Sequence, residues 1–403
     1  MLEPGEDGDF VRWALAVSET AAFHGLPFLA YAVLGRRLRW SHKLLPILAV
    51  ATLVVCDASY PLALRLGRLA VSVYGYFVPL VAGLFALRHQ LVRVGRLPSL
   101  VGLWMACIWL SGSDYGSGHP MAVVVGWEVF LSTYSLIRRD GEHTAQRTLA
   151  QWMFFVFVNP TVVVAESGKP QSCRNVPSTI LRLLGGLAVW SIQGVLLRWL
   201  LGDLARPGHM SATVRDDPAG LASAYPLAYV AYVLGHAGLA SFRIGMMNLI
   251  GYHVPPCYRN PLIATCPADF WRRWNIWTRA WAERYLFLPL GRWLRKSFGL
   301  ASPKHCVVGA LLLSFLAMGV LHDATRYAMQ PSGQQLSGRG VFLFGACGLW
   351  IVVWRGCHDW IRRSAMPLYQ RAAAYPRGVS ILAMGTVVYS HCILHAASFL
   401  LES

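Results

Sequence analysis

The chain reads as an all-α polytopic membrane protein, and three observations carry that reading. Hydrophobic residues make up 55% of its 403 positions and charged residues only 14%, whereas a soluble globule carries charge on roughly a quarter of its residues. Apolar runs long enough to cross about 30 Å of hydrocarbon recur along the whole chain, with no room for a soluble domain between them. Basic residues collect between alternate runs, as they do in the cytoplasmic loops of membrane proteins.

The runs lie near 11–33, 44–64, 69–87, 98–112, 120–137, 148–165, 180–201 and 219–240, then a short one near 244–254, then 306–325, 340–354 and 378–400. They predict eleven or twelve crossings in one integral membrane domain, 1–403, organised as an N-terminal helix bundle (1–254), a central signature region (255–325) and C-terminal helices (326–403). The acidic start, Glu3 to Asp9, lacks the basic region of a cleavable signal peptide, so the first span is expected to be retained. If every run crosses from an outside N-terminus, 27 of the 36 Lys and Arg fall in the loops on the inside, nine of them in 259–304 alone. A formal charge of +17 would point to nucleic acid in a soluble protein. Here the positive-inside bias accounts for it, and the bilayer, not nucleic acid, is the expected partner. Richness in Ala, Arg and Leu points to a GC-rich bacterial genome and hence to an inner membrane.

The region 255–304 breaks the pattern. Pro255, Pro256, Pro261 and Pro267 interrupt any helix leading in, and Asp269 is expected to cap a new helix beginning at Phe270. Between 271 and 284 stand four Trp and four Arg. That density excludes an ordinary span, because an Arg near the bilayer centre costs roughly 2.5 to 3.5 kcal/mol on insertion scales. The segment belongs on a cytoplasmic-side interface or around a polar cavity, as an amphipathic or re-entrant helical region. At 100° per residue, Trp271, Trp274, Asn275, Trp277, Thr278, Trp281, Ala282 and Tyr285 share one face, Arg272, Arg279 and Glu283 lie opposite, and Arg273 and Arg284 flank. An anchoring helix with a Trp belt in the headgroups fits this pattern as well as a substrate site does. Further on, His322 closes the apolar run 307–321 as a lone intramembrane histidine.

These residues resemble a known family. Asn260-Pro261-Leu262, then Asp269-Phe270-Trp271-Arg272-Arg273-Trp274-Asn275, then Trp281, Tyr285 and Pro289-Leu290-Gly291, followed by Gly319-Val320-Leu321-His322-Asp323, are similar to the paired signature of the membrane-bound O-acyltransferases. The likeness covers 255–325. Asn275 and the Leu321-His322-Asp323 sequence look like the wax-synthase and sterol or diacylglycerol branch; the Trp-Arg-Arg-Trp and Leu-Pro-Leu-Gly elements look like the bacterial branch that O-acylates exported polysaccharides.

The resemblance implies His322 as general base and Asn275 as its positioning partner. It also implies Trp271, Arg272, Arg273, Trp274, Trp277, Arg279, Trp281, Arg284 and Tyr285 as substrate-binding residues. Acyl-CoA or another acyl thioester is the implied co-substrate, a hydroxyl-bearing lipid or alcohol the expected acceptor, and a cell-envelope glycan the alternative; no permanently bound cofactor and no metal is expected. The chemistry fits, since acyl transfer to a hydroxyl needs a base for its proton and a donor for the developing oxyanion. A transporter would be expected to show a repeated half with broken helices, and none is found. A scaffold has no need of a buried His behind a Trp/Arg helix.

Glu19, Asp57, Glu128 and His236 each fall within an apolar run, where an ionisable group faces the bundle interior or a cavity. His391 and His395 have the i, i+4 spacing of a metal or haem pair but no third ligand, and the nine Cys form no C-x-x-C pair.

Overall fold

The computed structural model describes residues 80–93, 96–112, 120–140, 152, 156, 176–201, 218–249, 254–298, 302–329, 338–364 and 376–398. The runs expected at 11–33 and 44–64, and most of those at 69–87 and 148–165, lie outside the described residues, as do Glu19 and Asp57. Among the described residues every regular element is helical and there is no strand. In chain order the α-helices are α1 (Arg88–Arg93), α2 (Arg96–Gly112), α3 (Pro120–Asp140), α4 (Val176–Leu201), α5 (Pro218–Leu249), α6 (Pro267–Arg273), α7 (Ile276–Ala282), α8 (Leu288–Phe298), α9 (Pro303–Met329), α10 (Arg339–Ser364) and α11 (Pro376–Ser398). Four of them carry segments long and apolar enough to cross a membrane: Pro177–Leu196, Tyr225–Gly245, Pro303–Ala324 and Arg339–Trp360.

The helices follow the hydropathy with one correction. The runs at 219–240 and 244–254 are not separate crossings, because α5 continues through Arg243 to Leu249 as one helix of 32 residues. Arg243 split the apolar pattern in the sequence, yet its side chain is buried within the protein. A buried, bonded cation interrupts hydropathy without interrupting the backbone. Parity then fails: the chain before Pro218 and the chain after Leu249 stand at opposite ends of one helix, and the outside placement of the N-terminus loses its ninth crossing.

The described helices divide between two compact units. The first holds α1 to α3, most of α4 and the last turns of α5. Its centre is α3, where every residue from Val129 to Ile137 is buried, including Ser132, Thr133 and Ser135. The Ser135 hydroxyl donates to the Leu131 carbonyl at 2.7 Å, so burial leaves it satisfied. On α4 the apolar side chains Leu181, Leu184 and Ile192 are exposed, the arrangement of a helix that meets lipid. The second unit holds the rest of α4 and α5, the segment 256–298, α9 as far as Ala324, α10 and α11. Its core packs Tyr225, Tyr229 and Val233 of α5 against Phe270 of α6 and Val387 and Cys392 of α11, with Trp271, Trp274, Trp350 and Trp354 around them.

Candidate active site

The Trp/Arg segment is two short helices joined at a break, where a single continuous helix was expected. Helix α6 is capped by Cys266, whose thiol sulfur accepts the Asp269 N–H at 3.4 Å, with Pro267 supplying the first turn. Asp269 is therefore inside the helix and does not cap it. Its carboxylate instead binds the next turn: Arg272 donates through Nη2 at 2.5 Å and Arg273 through Nε at 2.7 Å. Burial pushes the Asp269 carboxyl up, but the hydrogen bonds from Arg273 and Arg272 outweigh it and hold the group below the usual carboxylate range.

The break falls at Asn275, whose φ of 33° is left-handed. Asn tolerates that region better than other residues with a Cβ. Its Oδ1 accepts the Thr278 N–H at 3.2 Å, capping α7, and the Cys257 thiol donates to the same oxygen at 3.4 Å. A clasp closes over the break: the Ile276 N–H donates to the Cys257 carbonyl (2.7 Å), the Arg259 N–H to the Arg273 carbonyl (3.0 Å), and Arg273 Nη1 to the Arg259 carbonyl (3.2 Å). These bonds satisfy backbone groups that two abutting helix ends would leave orphaned.

The left-handed residue resets the helical phase, so the single aromatic face does not exist. Phe270, Trp271 and Trp274 pack with the core on one side of the break. Trp277 and Trp281 are buried beyond it, and Trp281 touches Tyr285 at 5.6 Å where the chain winds into one π-helical turn, Glu283–Phe287. Arg279 makes only a loose ion pair with Glu283 at 3.6 Å, Arg284 is half-buried, and Arg292, Arg295 and Lys296 are exposed on α8.

Asn275 thus carries a structural duty that the sequence hid, and a pair of substitutions separates it from any chemical one. Asn275→Gly keeps the backbone angle and loses the cap, at a cost of a few tenths of a kcal/mol. Asn275→Ala loses the cap and strains the backbone as well, at about 2 kcal/mol together. Thermal unfolding in detergent is expected to rank Ala well below Gly; equal melting temperatures would remove the left-handed cap from the account.

His322 stands on α9 with its ring stacked on Phe344 of α10, centroids 4.7 Å apart at 22°. The helices meet closely here. A Cβ on Gly319 would lie 2.6 Å from the Val341 Cα and 2.7 Å from the Gly340 carbonyl oxygen. Asp323, the residue after His322, is buried and its two carboxylate oxygens accept the backbone N–H groups of Gly340 (2.5 Å) and Val341 (2.8 Å), capping α10. The Gly319 to Asp323 motif is therefore a joint: glycine admits the neighbouring backbone, aspartate fixes the start of α10, and Phe344 is delivered onto the imidazole.

The structure links the two sequence motifs through rings. Trp271 touches Phe344 at 5.8 Å and Phe315 at 5.2 Å, so it is one ring away from His322. Asn275, at the break, has its side-chain contacts with Thr278 and Cys257. On the other side Trp271 meets His391 at 5.6 Å, and this histidine is the residue that local reading misplaced. Its Nδ1 is 2.7 Å from the Tyr229 hydroxyl, its ring lies 4.5 Å from Phe270, and among the described residues its buried Nε2 has no hydrogen-bond partner. Such an orphan costs about 1 to 3 kcal/mol. Its partner is 162 residues away in sequence, so no i, i+4 pattern finds it. Among the described residues no group of three His, Cys, Asp or Glu forms a metal site. His236 donates through Nδ1 to the Tyr232 carbonyl at 3.0 Å, which leaves Nε2 as its basic nitrogen.

No known family profile matches the chain. Individual relatives do. It is 24% identical over 350 residues to the probable alginate O-acetylase AlgI of Azotobacter vinelandii, covering 79% of this chain and 64% of that protein. It is 25% identical over 211 residues to the probable alginate O-acetylase AlgI of Pseudomonas syringae pv. tomato, 51% of this chain and 39% of the relative. Over 83 residues it is 28% identical to a probable long-chain-alcohol O-fatty-acyltransferase of Arabidopsis thaliana, 20% of this chain and 24% of the plant protein. The chain thus spans less than two thirds of the length of these relatives. Bacterial acetylases and a plant fatty-acyltransferase have O-acyl transfer in common, and this multi-pass helical chain is distantly homologous to both, which are themselves membrane-bound O-acyltransferases.

Proposed function

We propose that the protein transfers an acyl group from a thioester, acyl-CoA or an acyl carrier, to the hydroxyl of an acceptor at the membrane. The supporting observation is that Trp271 of one motif and His322 of the other both contact the ring of Phe344. His322 takes the proton of the acceptor hydroxyl, the oxygen attacks the thioester carbonyl carbon, the C–S bond breaks, and the imidazolium returns the proton to the departing thiolate. No acyl-enzyme is required. Asn275, whose side-chain oxygen caps α7, is assigned as the positioning partner. The matched length of the alginate O-acetylases favours a carbohydrate hydroxyl over the lipid or alcohol that the residue pattern alone favoured; the alcohol reading rests on the shorter plant match. Purified protein given radiolabelled acetyl-CoA or palmitoyl-CoA, with either an alginate oligosaccharide or 1-hexadecanol, tests the reading. Thioester consumption without any O-acyl product would end it.

For the donor, the phosphates of a coenzyme A thioester are assigned to Arg279 and Arg284, with Trp277, Trp281 and Tyr285 as further substrate-binding residues, while Arg292, Arg295 and Lys296 meet headgroup or donor phosphates. Arg272 and Arg273 are held by Asp269 and brace the clasp. Charge-assisted hydrogen bonds contribute roughly 1.5 to 3 kcal/mol. Arg279→Ala and Arg284→Ala are expected to raise the donor KM about tenfold or more with kcat kept, whereas Arg273→Ala mainly lowers the melting temperature. If all seven basic residues can be truncated without changing donor KM, the coenzyme assignment fails.

We assign the basic segment 255–304 to the cytoplasmic face of a bacterial inner membrane, where soluble thioesters are found. Native Cys257 is too buried to report on this, but Ser297 is exposed. A Ser297→Cys thiol is expected to resist an impermeant maleimide in intact cells and to react after permeabilisation. Labelling of intact cells would reverse the orientation.

A further inference from the structure

The proposed mechanism uses His322 and leaves the buried imidazole of His391 without a task. His391 is 4% exposed and enclosed by Phe270 at 4.5 Å, Tyr229 at 5.4 Å, Trp271 at 5.6 Å and Trp350 at 6.3 Å. Among the described residues only its Nδ1 is engaged, by the Tyr229 hydroxyl. An aromatic enclosure with one unsatisfied polar atom is a binding arrangement for a group that is apolar in its skeleton and polar at one point.

The choice of group follows from hydrogen-bond capacity. If the Tyr229 hydroxyl donates to Nδ1, Nε2 carries a proton and needs an acceptor; if Nδ1–H donates to the tyrosine oxygen, Nε2 is a lone pair and needs a donor. A thioester carbonyl answers only the first case. A hydroxyl answers both. The reacting hydroxyl belongs at His322, and Phe344 and Trp271 stand in sequence between the two imidazoles. The hydroxyl at His391 is therefore a different one.

Resting on the acyltransferase reading above, we infer that the Tyr229–His391 pair holds a second, non-reacting hydroxyl of the acceptor, so that the acceptor is a polyol whose carbon skeleton packs on Trp271, Phe270 and Trp350. His391 is then a determinant of acceptor specificity, and a monohydric alcohol has nothing to offer it. The hydroxyls of a carbohydrate and of a glycerol-based lipid share this chemistry.

The test compares His391→Phe and Tyr229→Phe with the wild type, using acetyl-CoA and three acceptors: an alginate oligosaccharide, a monoacylglycerol and 1-hexadecanol. With whichever polyol the wild type uses, His391→Phe is expected to raise acceptor KM by at least about tenfold, with donor KM unchanged and kcat within a few-fold. Tyr229→Phe should shift the same constant less. Any transfer to 1-hexadecanol should be indifferent to both changes. The oligosaccharide arm and the monoacylglycerol arm separate the two sources of polyol. A KM that stays flat, or rises equally for the monohydric alcohol, overturns the inference.

A direct reading guards against misfolded variants and against failure of the enzymatic reading itself. In ¹⁵N-histidine protein without donor, the His391 Nε2 resonance, assigned by its absence from His391→Gln, should move on adding the polyol and stay still on adding 1-hexadecanol. No movement with either polyol means that ordered water, not substrate, fills the position. Absence of transfer in the wild type refutes the acyltransferase reading alone and leaves this binding result to stand or fall by itself.

Discussion

Replacing His322 with alanine is expected to lower kcat by at least about a hundredfold while the protein still folds and still binds its thioester. General-base catalysis is typically worth about 10² to 10⁴ in rate. The imidazole is the polar group on α9 that meets the Trp271 cluster through Phe344. Its removal leaves the joint intact, since Gly319 and Asp323 hold α10 without it. Stability should change little and donor KM should stay put, because the basic residues assigned to the donor lie on α7, α8 and the π turn. The measurements are single-turnover transfer, donor titration and the elution profile. A variant that elutes normally and transfers at near wild-type rate would make His322 a stacking residue, and the base would then be sought at Nε2 of His236, whose tautomer is set by its bond to the Tyr232 carbonyl.

The second large effect comes from a methyl group. Gly319→Ala places a Cβ 2.6 Å from the Val341 Cα and 2.7 Å from the Gly340 carbonyl oxygen, and both neighbours are backbone. Nothing there can rotate away, so α9 and α10 must separate. Overpacking costs typically 1 to 3 kcal/mol, and separation also stretches the two bonds by which Asp323 caps α10, worth about 1 kcal/mol more. Phe344 moves with α10. Gly319→Ala is therefore expected to lose several degrees of melting temperature together with most activity, although the substitution touches no reacting atom. Gly356, on the same α10 but with no atom within 4 Å of its would-be Cβ, is the control: alanine there should be neutral or slightly stabilising, by up to about 1 kcal/mol. Matching losses at 319 and 356 would mean that helix content, not the close crossing, governs the outcome.

What the sequence disclosed and what it concealed divide along range of interaction. Apolar runs gave α2 to α4, α9 and α11 nearly at their bounds, because length and hydropathy are local and the bilayer demands both. The motif residues Trp271, Asn275 and His322 were legible through their likeness to a family. Hidden were features decided by contacts far along the chain or by one backbone angle. Cys266 rather than Asp269 caps α6, a role in which a thiol is rarely looked for. Asn275 turns left-handed and so defeats a projection that assumes 100° per residue throughout. Arg243 is buried inside α5, where charge alone had implied a boundary. His391 pairs with Tyr229, and no pattern within one helix could have named that partner.

Helix α5 has a further property that bears on how such a chain enters lipid. At 1.5 Å per residue its 32 residues reach about 48 Å, while the hydrocarbon is about 30 Å thick. Its apolar window opens at Tyr225, and Pro226 is the very next residue. A proline within a helix leaves the carbonyl four residues earlier without its amide, here that of Ala222. That carbonyl falls outside the apolar segment; an unanswered acceptor among headgroups would be hydrated at little cost, whereas a turn or two deeper the same proline would leave a bare dipole in oil. Moving Pro226 inward by one turn should therefore hinder insertion even though the composition of the segment would be unchanged.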